Sequence, residues 1–221
     1  MAAALPEKAR AERERPFWQA VVGRFGWRKV VDAGCGAGFH LRLLREVGVE
    51  AVGFDAALDA LVGRVGPAAF AGDLKAPPLR ERSFDAALCL GNTFSLLASR
   101  ALQREGLGAL TRLVCTGGVV VLQGEDVGTL VAGGPVVRTR RLDGAAVHVR
   151  MFERVGRRVR MLAGVTRDDM DAPLTATWVL PTSPAVVGRM ARGLGLVRVA
   201  LPAPPPASGK GWWAVLSVRS P

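Results

Sequence analysis

Short apolar segments alternate with helical segments over the first half of the chain, and this alternation constrains the fold more than any other feature. Buried strands are predicted at 29–32, 50–55, 68–72, 84–90 and 119–123. Apolar residues recur at helical spacing in 7–25, 37–47, 57–65 and 99–114. Strands that are apolar throughout indicate a parallel sheet covered by helices on both faces. The sequence therefore predicts an α/β fold: a Rossmann-like, doubly wound and mostly parallel sheet.

The pattern changes after Gly124. Short strands are predicted at 136–139, 145–152, 158–164 and 176–180, and Asp143-Gly144 is typical of a hairpin turn. A helix at 183–194 and strands at 197–201 and 212–218 would complete a seven-stranded sheet. We therefore expect an N-terminal helix (1–26), a core (27–127 and 181–221) and an inserted antiparallel β subdomain (128–180) that acts as a substrate lid.

Composition narrows the cellular setting. No apolar stretch among the 221 residues approaches the roughly 20 needed to cross a bilayer, and the N-terminus lacks the layout of a secretory signal. We therefore predict a cytoplasmic protein without membrane contact. The three Cys residues are widely spaced, and the two His residues stand apart at 40 and 148. This spacing predicts neither a metal site nor a disulfide framework.

The net charge of +11 raises the possibility of a nucleic-acid partner. The positive charge is nearly all Arg and is spread along the chain, which favours a solvated surface. The densest cluster of Arg residues lies between 138 and 160, inside the predicted insert. An RNA substrate is therefore retained as the less favoured interpretation.

A glycine-rich turn follows the first strand, in Val30-Val-Asp-Ala-Gly-Cys-Gly-Ala-Gly38. Gly34, Gly36 and Gly38 let the backbone turn sharply and approach a ligand closely. The third Gly comes one residue earlier than in the G-x-G-x-x-G turn of dinucleotide-binding proteins, which disfavours a nicotinamide oxidoreductase. Asp32, two residues before the first Gly, would suit a ligand with a cationic amino-acid end better than a diphosphate.

Two further acidic residues follow strands. Asp55 ends the second strand, where its carboxylate can accept hydrogen bonds from ribose hydroxyls. Asp73 follows the third strand, where it can accept from an adenine amino group while the backbone N–H of Leu74 meets the ring. The fourth strand leads into Gly91-Asn92-Thr93, where Gly91 would permit close approach and Asn92 and Thr93 could orient a substrate.

These elements, in this order, resemble the class I S-adenosylmethionine-dependent methyltransferases over about residues 27–123. The segment Leu88-Cys-Leu-Gly-Asn-Thr-Phe94 is similar to the glycine/sarcosine N-methyltransferase-like branch, although the chain contains no Tyr, which that branch commonly places around its substrate. The resemblance implies S-adenosylmethionine as cofactor. The cofactor-binding residues it implies are Asp32, Gly34, Cys35, Gly36, Gly38, Asp55, Ala56, Asp73, Leu74, Leu90 and Gly91.

Candidates for the reaction itself are fewer. Methyl transfer from a sulfonium needs mainly alignment and exclusion of water, so no catalytic dyad is required. Asn92, Glu125 and His40 are the catalytic candidates by residue type and position. Asn92, Thr93, Arg138 and Arg150 are the substrate-binding candidates, the two arginines as a clamp for a carboxylate or phosphate.

The favoured hypothesis is a methyltransferase that acts on a small molecule, with an amine as the favoured acceptor, as a monomer or homodimer. Two alternatives remain open. One is an RNA or protein methyltransferase, suggested by the charge. The other is a protein that binds S-adenosylmethionine without catalysing transfer.

Overall fold

The computed structural model describes residues 7–57, 68–141, 146–167, 174–206 and 211–218 of the chain. Its helices are α1 (Glu7–Phe25), α2 (Phe39–Glu46), α3 (Arg100–Leu113), α4 (Val127–Leu130) and α5 (Pro184–Arg192), with a 3₁₀ turn at Thr93–Leu96. Its strands are β1 (Lys29–Ala33), β2 (Glu50–Asp55), β3 (Ala69–Ala71), β4 (Phe84–Cys89), β5 (Val114–Glu125), β6 (Val136–Arg141), β7 (Ala146–Val155), β8 (Arg158–Arg167), β9 (Thr175–Val179), β10 (Leu196–Val199) and β11 (Gly211–Val218).

Seven strands form one sheet in the order β10-β11-β5-β4-β1-β2-β3. The pairs among β3, β2, β1, β4 and β5 are parallel, and β11 runs antiparallel to both β5 and β10. The predicted mostly parallel, doubly wound sheet is therefore confirmed. Because parallel strands all end at one edge, the loops after β1, β2, β4 and β5 lie side by side.

Alternate residues of each central strand pack into cores on opposite faces of the sheet. On β4, Ala86 and Leu88 join the core under α1 and α2, whereas Ala87 and Cys89 join the core under α3 and α5. The two-sided burial explains why these strands are apolar throughout. It also buries the side chain of Asp32, on β1, which is 1 % exposed.

The second sheet is antiparallel, in the order β6-β7-β8-β9, and confirms the predicted insert. One face packs on α4 through a small core formed by Val127, Val131, Phe152, Val159 and Val179. The other face carries Trp178, 43 % exposed, and Val137, 56 % exposed.

Some predicted elements differ from the structure or fall outside it. Residues 58–65 of the predicted helix at 57–65 lie outside the described residues, as does the predicted turn at Asp143-Gly144. The strand predicted at 119–123 begins earlier, at Val114, because Gly117 and Gly118 lie within it rather than in a turn before it. Within the described part of the chain, no helix combines the length and apolar character that a membrane crossing requires.

Candidate functional site

The carboxyl ends of β1 and β2 are joined directly by the backbone of the glycine-rich turn. The N–H groups of Gly34 and Cys35 both donate to the carbonyl oxygen of Phe54, at 2.7 and 3.1 Å. The N–H of Gly36 donates to a carboxylate oxygen of Asp55 at 2.8 Å. Gly38 then begins α2 in the left-handed conformation, with φ of 75°. The predicted turn and the predicted acid after β2 therefore lie in contact.

The glycines of this turn are required for different reasons. A Cβ atom on Gly34 would lie 2.3 Å from Cγ2 of Thr93, so the loop after β4 occupies the space beside this residue. A Cβ atom on Gly36 would meet nothing within 4 Å among the described atoms. Gly36 therefore borders open space on the surface of the turn, where a ligand can approach the backbone.

Asp32 is the buried acidic residue of the site. It is 1 % exposed, and its Oδ1 has no hydrogen-bond partner among the described residues. Burial, together with the nearby charge of Asp55, raises its pKa to about 6, although a positive charge on His40 acts in the opposite direction. A buried carboxylate without a partner is costly, and a cationic group at its free oxygen would offset that cost.

The two other acidic candidates hold local contacts. Asp55 is half-buried, and its second carboxylate oxygen accepts from the N–H of Ala57 at 2.9 Å; the neighbouring Ala56 is exposed. Asp73 is exposed, and its carboxylate accepts from the backbone N–H of Lys75 and pairs with the Lys75 ammonium, contacts that lower its pKa. Each carboxylate offers about four acceptor positions, so both retain capacity for further donors.

The loop after β4 is held against the end of β5 by two side-chain amides. Oε1 of Gln123 accepts from the N–H of Gly91 at 2.7 Å, and Oδ1 of Asn92 accepts from the N–H of Glu125 at 3.3 Å. Asn92 is left-handed, with φ of 75°, a conformation that Asn tolerates better than most residues. Asn92 is therefore partly engaged in holding the loop, besides its predicted role toward a substrate.

Thr93 and the residues beside it complete the wall next to the turn. The Thr93 hydroxyl donates to the carbonyl oxygen of Leu90 at 2.9 Å, and Leu90 is buried. Cys35 is also buried, packed where Gly53 has no side chain. Burial and the charges of Asp32 and Asp55 raise the pKa of the Cys35 thiol to about 12, which keeps it neutral and unreactive.

Glu125, at the end of β5, is paired with a residue of the insert. Its side chain is 19 % exposed and forms an ion pair with Arg138 of β6. Arg138 faces Arg150 across the β6–β7 ladder, so both arginines project from the same face of the second sheet, the face that carries Phe152. The structure thus brings together Glu125 and Arg138, which the sequence did not link.

His40 is directed toward α1. Its Nε2 lies 3.4 Å from Oε2 of Glu14, and its ring packs edge-on against Trp18 and Phe39. Glu14 also accepts from Arg10 at 2.8 Å. Burial alone would raise the Glu14 pKa, but the hydrogen bonds from His40 and Arg10 lower it to about 2. Through these contacts His40 connects α2 to α1; its predicted catalytic role stays a prediction.

Two site residues were not singled out from the sequence. Gln123 ends the otherwise apolar run Val119-Val-Val-Leu, and a polar residue there is the signal that marks a strand end at the ligand edge. Glu14 lies among the charges of α1, and its burial depends on the position of His40, 26 residues away, which no local pattern reveals. The described residues contain no group of three or more His, Cys, Asp or Glu side chains that could hold a metal ion.

Comparison with known proteins finds its family match in the core of the chain. Residues 31–122 match the family model described as a methyltransferase domain. The chain is 29 % identical over 144 residues to the glycine/sarcosine N-methyltransferase of Parasynechococcus marenigrum (strain WH8102). That alignment covers 59 % of this chain and 49 % of the relative, so the chain spans about half the length of the relative it matches.

Solved structures share the whole fold. A S-adenosylmethionine-dependent methyltransferase from Clostridium acetobutylicum ATCC 824 superposes with a TM-score of 0.79 at 10 % identity, covering 95 % of this chain and 92 % of that one. An amino pentose methyltransferase from Micromonospora echinaspora, involved in calicheamicin biosynthesis and solved with S-adenosylmethionine bound, superposes with a TM-score of 0.76 at 20 % identity, covering 97 % and 92 %. The resemblance stated from the sequence motifs is therefore confirmed at the level of fold.

Proposed function

We propose that this chain, whose residues 31–122 match the model of a methyltransferase domain, binds S-adenosylmethionine at the carboxyl edge of its sheet and transfers the methyl group to an amine of a small molecule. The observation that carries the proposal is the pairing of the glycine-rich turn with two acids. Asp32 lies buried before the turn, and Asp55 contacts Gly36 within it.

Asp32 fits the amino-acid end of the cofactor. Its Oδ1 is buried and has no partner among the described residues, although most buried carboxylate oxygens accept at least one hydrogen bond. An ammonium group would supply both a donor and a compensating charge. Because the pKa of Asp32 is about 6, the carboxylate would be ionised and ready for that cation above neutral pH.

The glycine-rich turn and Asp55 fit the adenosine end. Gly36 borders open space, and Asp55 is held in place by the N–H groups of Gly36 and Ala57 while keeping free acceptor positions for ribose hydroxyls. Leu74 is buried beside the exposed Asp73, where its backbone would face the adenine. Cys35, Gly38, Ala56, Leu90 and Gly91 line the remainder of the proposed cofactor site.

The cofactor supplies an electrophilic methyl group with a neutral leaving group, so the protein's task is to align the acceptor and exclude water. Glu125 is the residue best placed for an amine, because it is half-buried at the end of β5 beside Asn92. We assign the amine contact to Glu125, and orientation of the acceptor to Asn92, Thr93, Arg138 and Arg150. The insert would act as the lid that excludes water.

An amine acceptor is supported by two of the matched proteins. One is named for glycine and sarcosine, and the other for an amino pentose. Two arginines of the insert, Arg138 and Arg160, are paired with carboxylates of Glu125 and Glu153, which leaves fewer charges there for the RNA alternative. Small amines are therefore the acceptors to test first.

The cofactor assignment is tested by calorimetry with S-adenosylmethionine and S-adenosylhomocysteine. Asp55→Ala should weaken binding of both by about tenfold or more, since about 1.4 kcal/mol is a tenfold change. Asp85→Ala is the matched control, because the Asp85 carboxylate also accepts two backbone N–H groups, from Arg28 and Lys29, at the opposite edge of the sheet. The control should bind as the wild type does.

Acceptor chemistry is tested with S-adenosylmethionine labelled in the methyl group and a panel of amino acids, amino sugars and structured RNA. Label transferred to an amine, and reduced by Glu125→Gln, supports the proposal. Cofactor binding without transfer to any acceptor in the panel would instead favour a protein that binds the cofactor without catalysis. No calorimetric signal from the wild type with either compound would contradict the proposal as a whole.

A further inference from the structure

A cluster of five exposed arginines lies on one face of the core, on α3, α5 and β10. We call it the arginine patch, and its members are Arg100, Arg104, Arg189, Arg192 and Arg198. Arg100 and Arg104 are one turn apart on α3, and Arg189 and Arg192 are one turn apart on α5, so each pair projects from one side of its helix. In the sequence, the densest cluster of arginines lies elsewhere, between 138 and 160 in the insert.

The two helices bring their arginines close together. A Cβ atom on Gly193, just after α5, would lie 2.3 Å from a guanidinium nitrogen of Arg104, so Arg104 of α3 lies across the end of α5. Burial and the neighbouring charge of Arg189 both lower the pKa of Arg100. The positive charges are therefore concentrated on one surface although they come from distant parts of the sequence.

These charges are uncompensated within the part of the chain that the structure describes. None of the five forms an ion pair with a described carboxylate, and Arg100 donates only to neutral groups: Gln103, Thr182 and the carbonyl of Pro181. In the insert, Arg138 and Arg160 are paired with glutamates, whereas Arg154 and Arg158 donate to backbone carbonyls. Five of the positive charges behind the net charge of +11 therefore lie together at this patch.

Three members of the patch line a groove between α5 and the edge of the sheet. The groove encloses about 560 Å³, and Arg189, Arg192 and Arg198 stand around an apolar floor that includes Leu196 and Leu216. Its lining contains no aromatic residue on which an unpaired base could stack. Guanidinium groups bind phosphate oxygens as two-pronged donors.

We propose that the arginine patch binds the phosphodiester backbone of duplex nucleic acid without reading its sequence. The patch offers charge and hydrogen-bond donors for phosphates, and it offers no stacking surface for bases. Binding of this type is governed by counterion release, so it weakens steeply with salt. The proposal does not depend on methyl transfer, because it concerns the α3–α5 face rather than the carboxyl edge of the strands.

The test is fluorescence anisotropy of labelled 20-base-pair RNA and DNA duplexes of one sequence, titrated with the full chain. The titrations are repeated between 50 and 200 mM NaCl. Over this range the affinity of a protein that contacts 6–10 phosphates falls roughly 10³–10⁵-fold. The variant R189Q/R192Q/R198Q removes three charges from the groove. We expect its Kd at about 100 mM salt to rise at least tenfold, and its log–log salt slope to fall by about 0.9 for each arginine removed.

The matched control is R24Q/R28Q/R80Q, which lowers the net charge equally at exposed arginines scattered over the surface. Its Kd should stay within about twofold of the wild type, and circular dichroism should show both variants folded. Equal weakening by the two variants would overturn the proposal, because total charge would then explain the binding. The proposal would also be overturned if the wild type did not bind the duplex at the lowest salt. Displacement of the duplex by polyglutamate of matched charge would overturn it in favour of an acidic protein partner.

Discussion

Glycines that look equivalent in the sequence have different functions in the turn after β1. Gly34 and Gly36 are both left-handed, with φ of 79° and 51°. Only Gly34 is in contact with another loop, because Thr93 fills the space where its side chain would lie. The sequence predicts both a sharp turn and close approach of a ligand for all three glycines; in the structure, the space beside Gly36 is open and the space beside Gly34 is filled by Thr93.

The same substitution at these two positions should consequently have unequal costs. Gly34→Ala adds a steric clash to the left-handed strain of about 1 kcal/mol, whereas Gly36→Ala adds the strain alone. We expect urea denaturation to show Gly34→Ala less stable than Gly36→Ala by at least about 1 kcal/mol, the lower end of what overpacking costs.

Thr93→Ala provides the check on the physical cause. It removes the two atoms nearest to the added Cβ, Cγ2 and Oγ1, so the double variant Gly34→Ala/Thr93→Ala should recover part of the lost stability. Equal costs for the two glycine substitutions, or strictly additive effects of Gly34→Ala and Thr93→Ala, would show that Thr93 does not constrain the turn.

At the scale of the elements, the sequence predicts the central strands well and the connections between elements less well. β2 and α1 begin and end at the predicted residues, because continuous apolar runs and terminal glycines mark them locally. The sequence does not predict the start of β5 at Val114, since Gly117 and Gly118 are typical of a turn. In the structure they lie in an irregularity of the β4–β5 pairing, where a Cβ on Gly118 would approach the carbonyl of Asp85 to 2.9 Å.

Contacts between elements depend on positions far apart in the chain, and no local pattern shows them. The join between the insert and the core is an example. Leu180, where the chain leaves the insert, donates its N–H to the carbonyl of Ser95, and Thr182 accepts from the buried Gln103 of α3 at 2.9 Å. Gln103 also donates to the carbonyl of Phe94, in the 3₁₀ turn at Thr93–Leu96 that follows β4. One side chain thus ties the end of the insert to the loop that bears Asn92 and Thr93.

Replacing this side chain should loosen the join. Gln103→Leu keeps the approximate size but removes the two hydrogen bonds that the side chain donates and the one that it accepts from Arg100, so we expect a loss of about 1–3 kcal/mol in the free energy of unfolding. The amide of Leu180 should also exchange faster with deuterium, since its acceptor lies in the same turn. Mass spectrometry of peptides covering 176–183 measures this exchange.

Gln19→Leu is the control for that experiment, because Gln19 is an exposed glutamine on α1. It should change neither the stability by more than about 0.5 kcal/mol nor the exchange of Leu180. Unchanged exchange in Gln103→Leu would mean that the strand pairing of the insert, rather than this buried amide, fixes its position on the core.

For the whole molecule, two buried carboxylates on the α1–α2 side of the sheet should set opposing pH dependences of stability. The pKa of Asp32 is raised from 3.8 to about 6 by burial. The native state therefore holds this proton more tightly than the unfolded chain, and the stabilisation present below pH 4 is lost as the pH rises through 6. The stability contributed by Glu14 has the opposite pH dependence. Burial alone would raise the Glu14 pKa, but the contacts with His40 and Arg10 lower it from 4.5 to about 2. The stabilisation from Glu14 is therefore present above pH 4.5 and is lost as the pH falls toward 2.

Each change corresponds to about 3 kcal/mol, at 1.36 kcal/mol for each tenfold change in the acid constant. Asp32→Asn should therefore be more stable than the wild type at pH 7.5 by up to about 3 kcal/mol, with the difference vanishing near pH 4, and it should lose affinity for S-adenosylmethionine. Glu14→Gln should be less stable than the wild type at pH 7.5 by a similar amount, with the difference vanishing near pH 2. Urea denaturation at each pH measures both. If Asp32→Asn proved less stable than the wild type at pH 7.5, the Asp32 carboxylate would have to be stabilised within the free protein, and the argument that it is kept for a cationic ligand would fail.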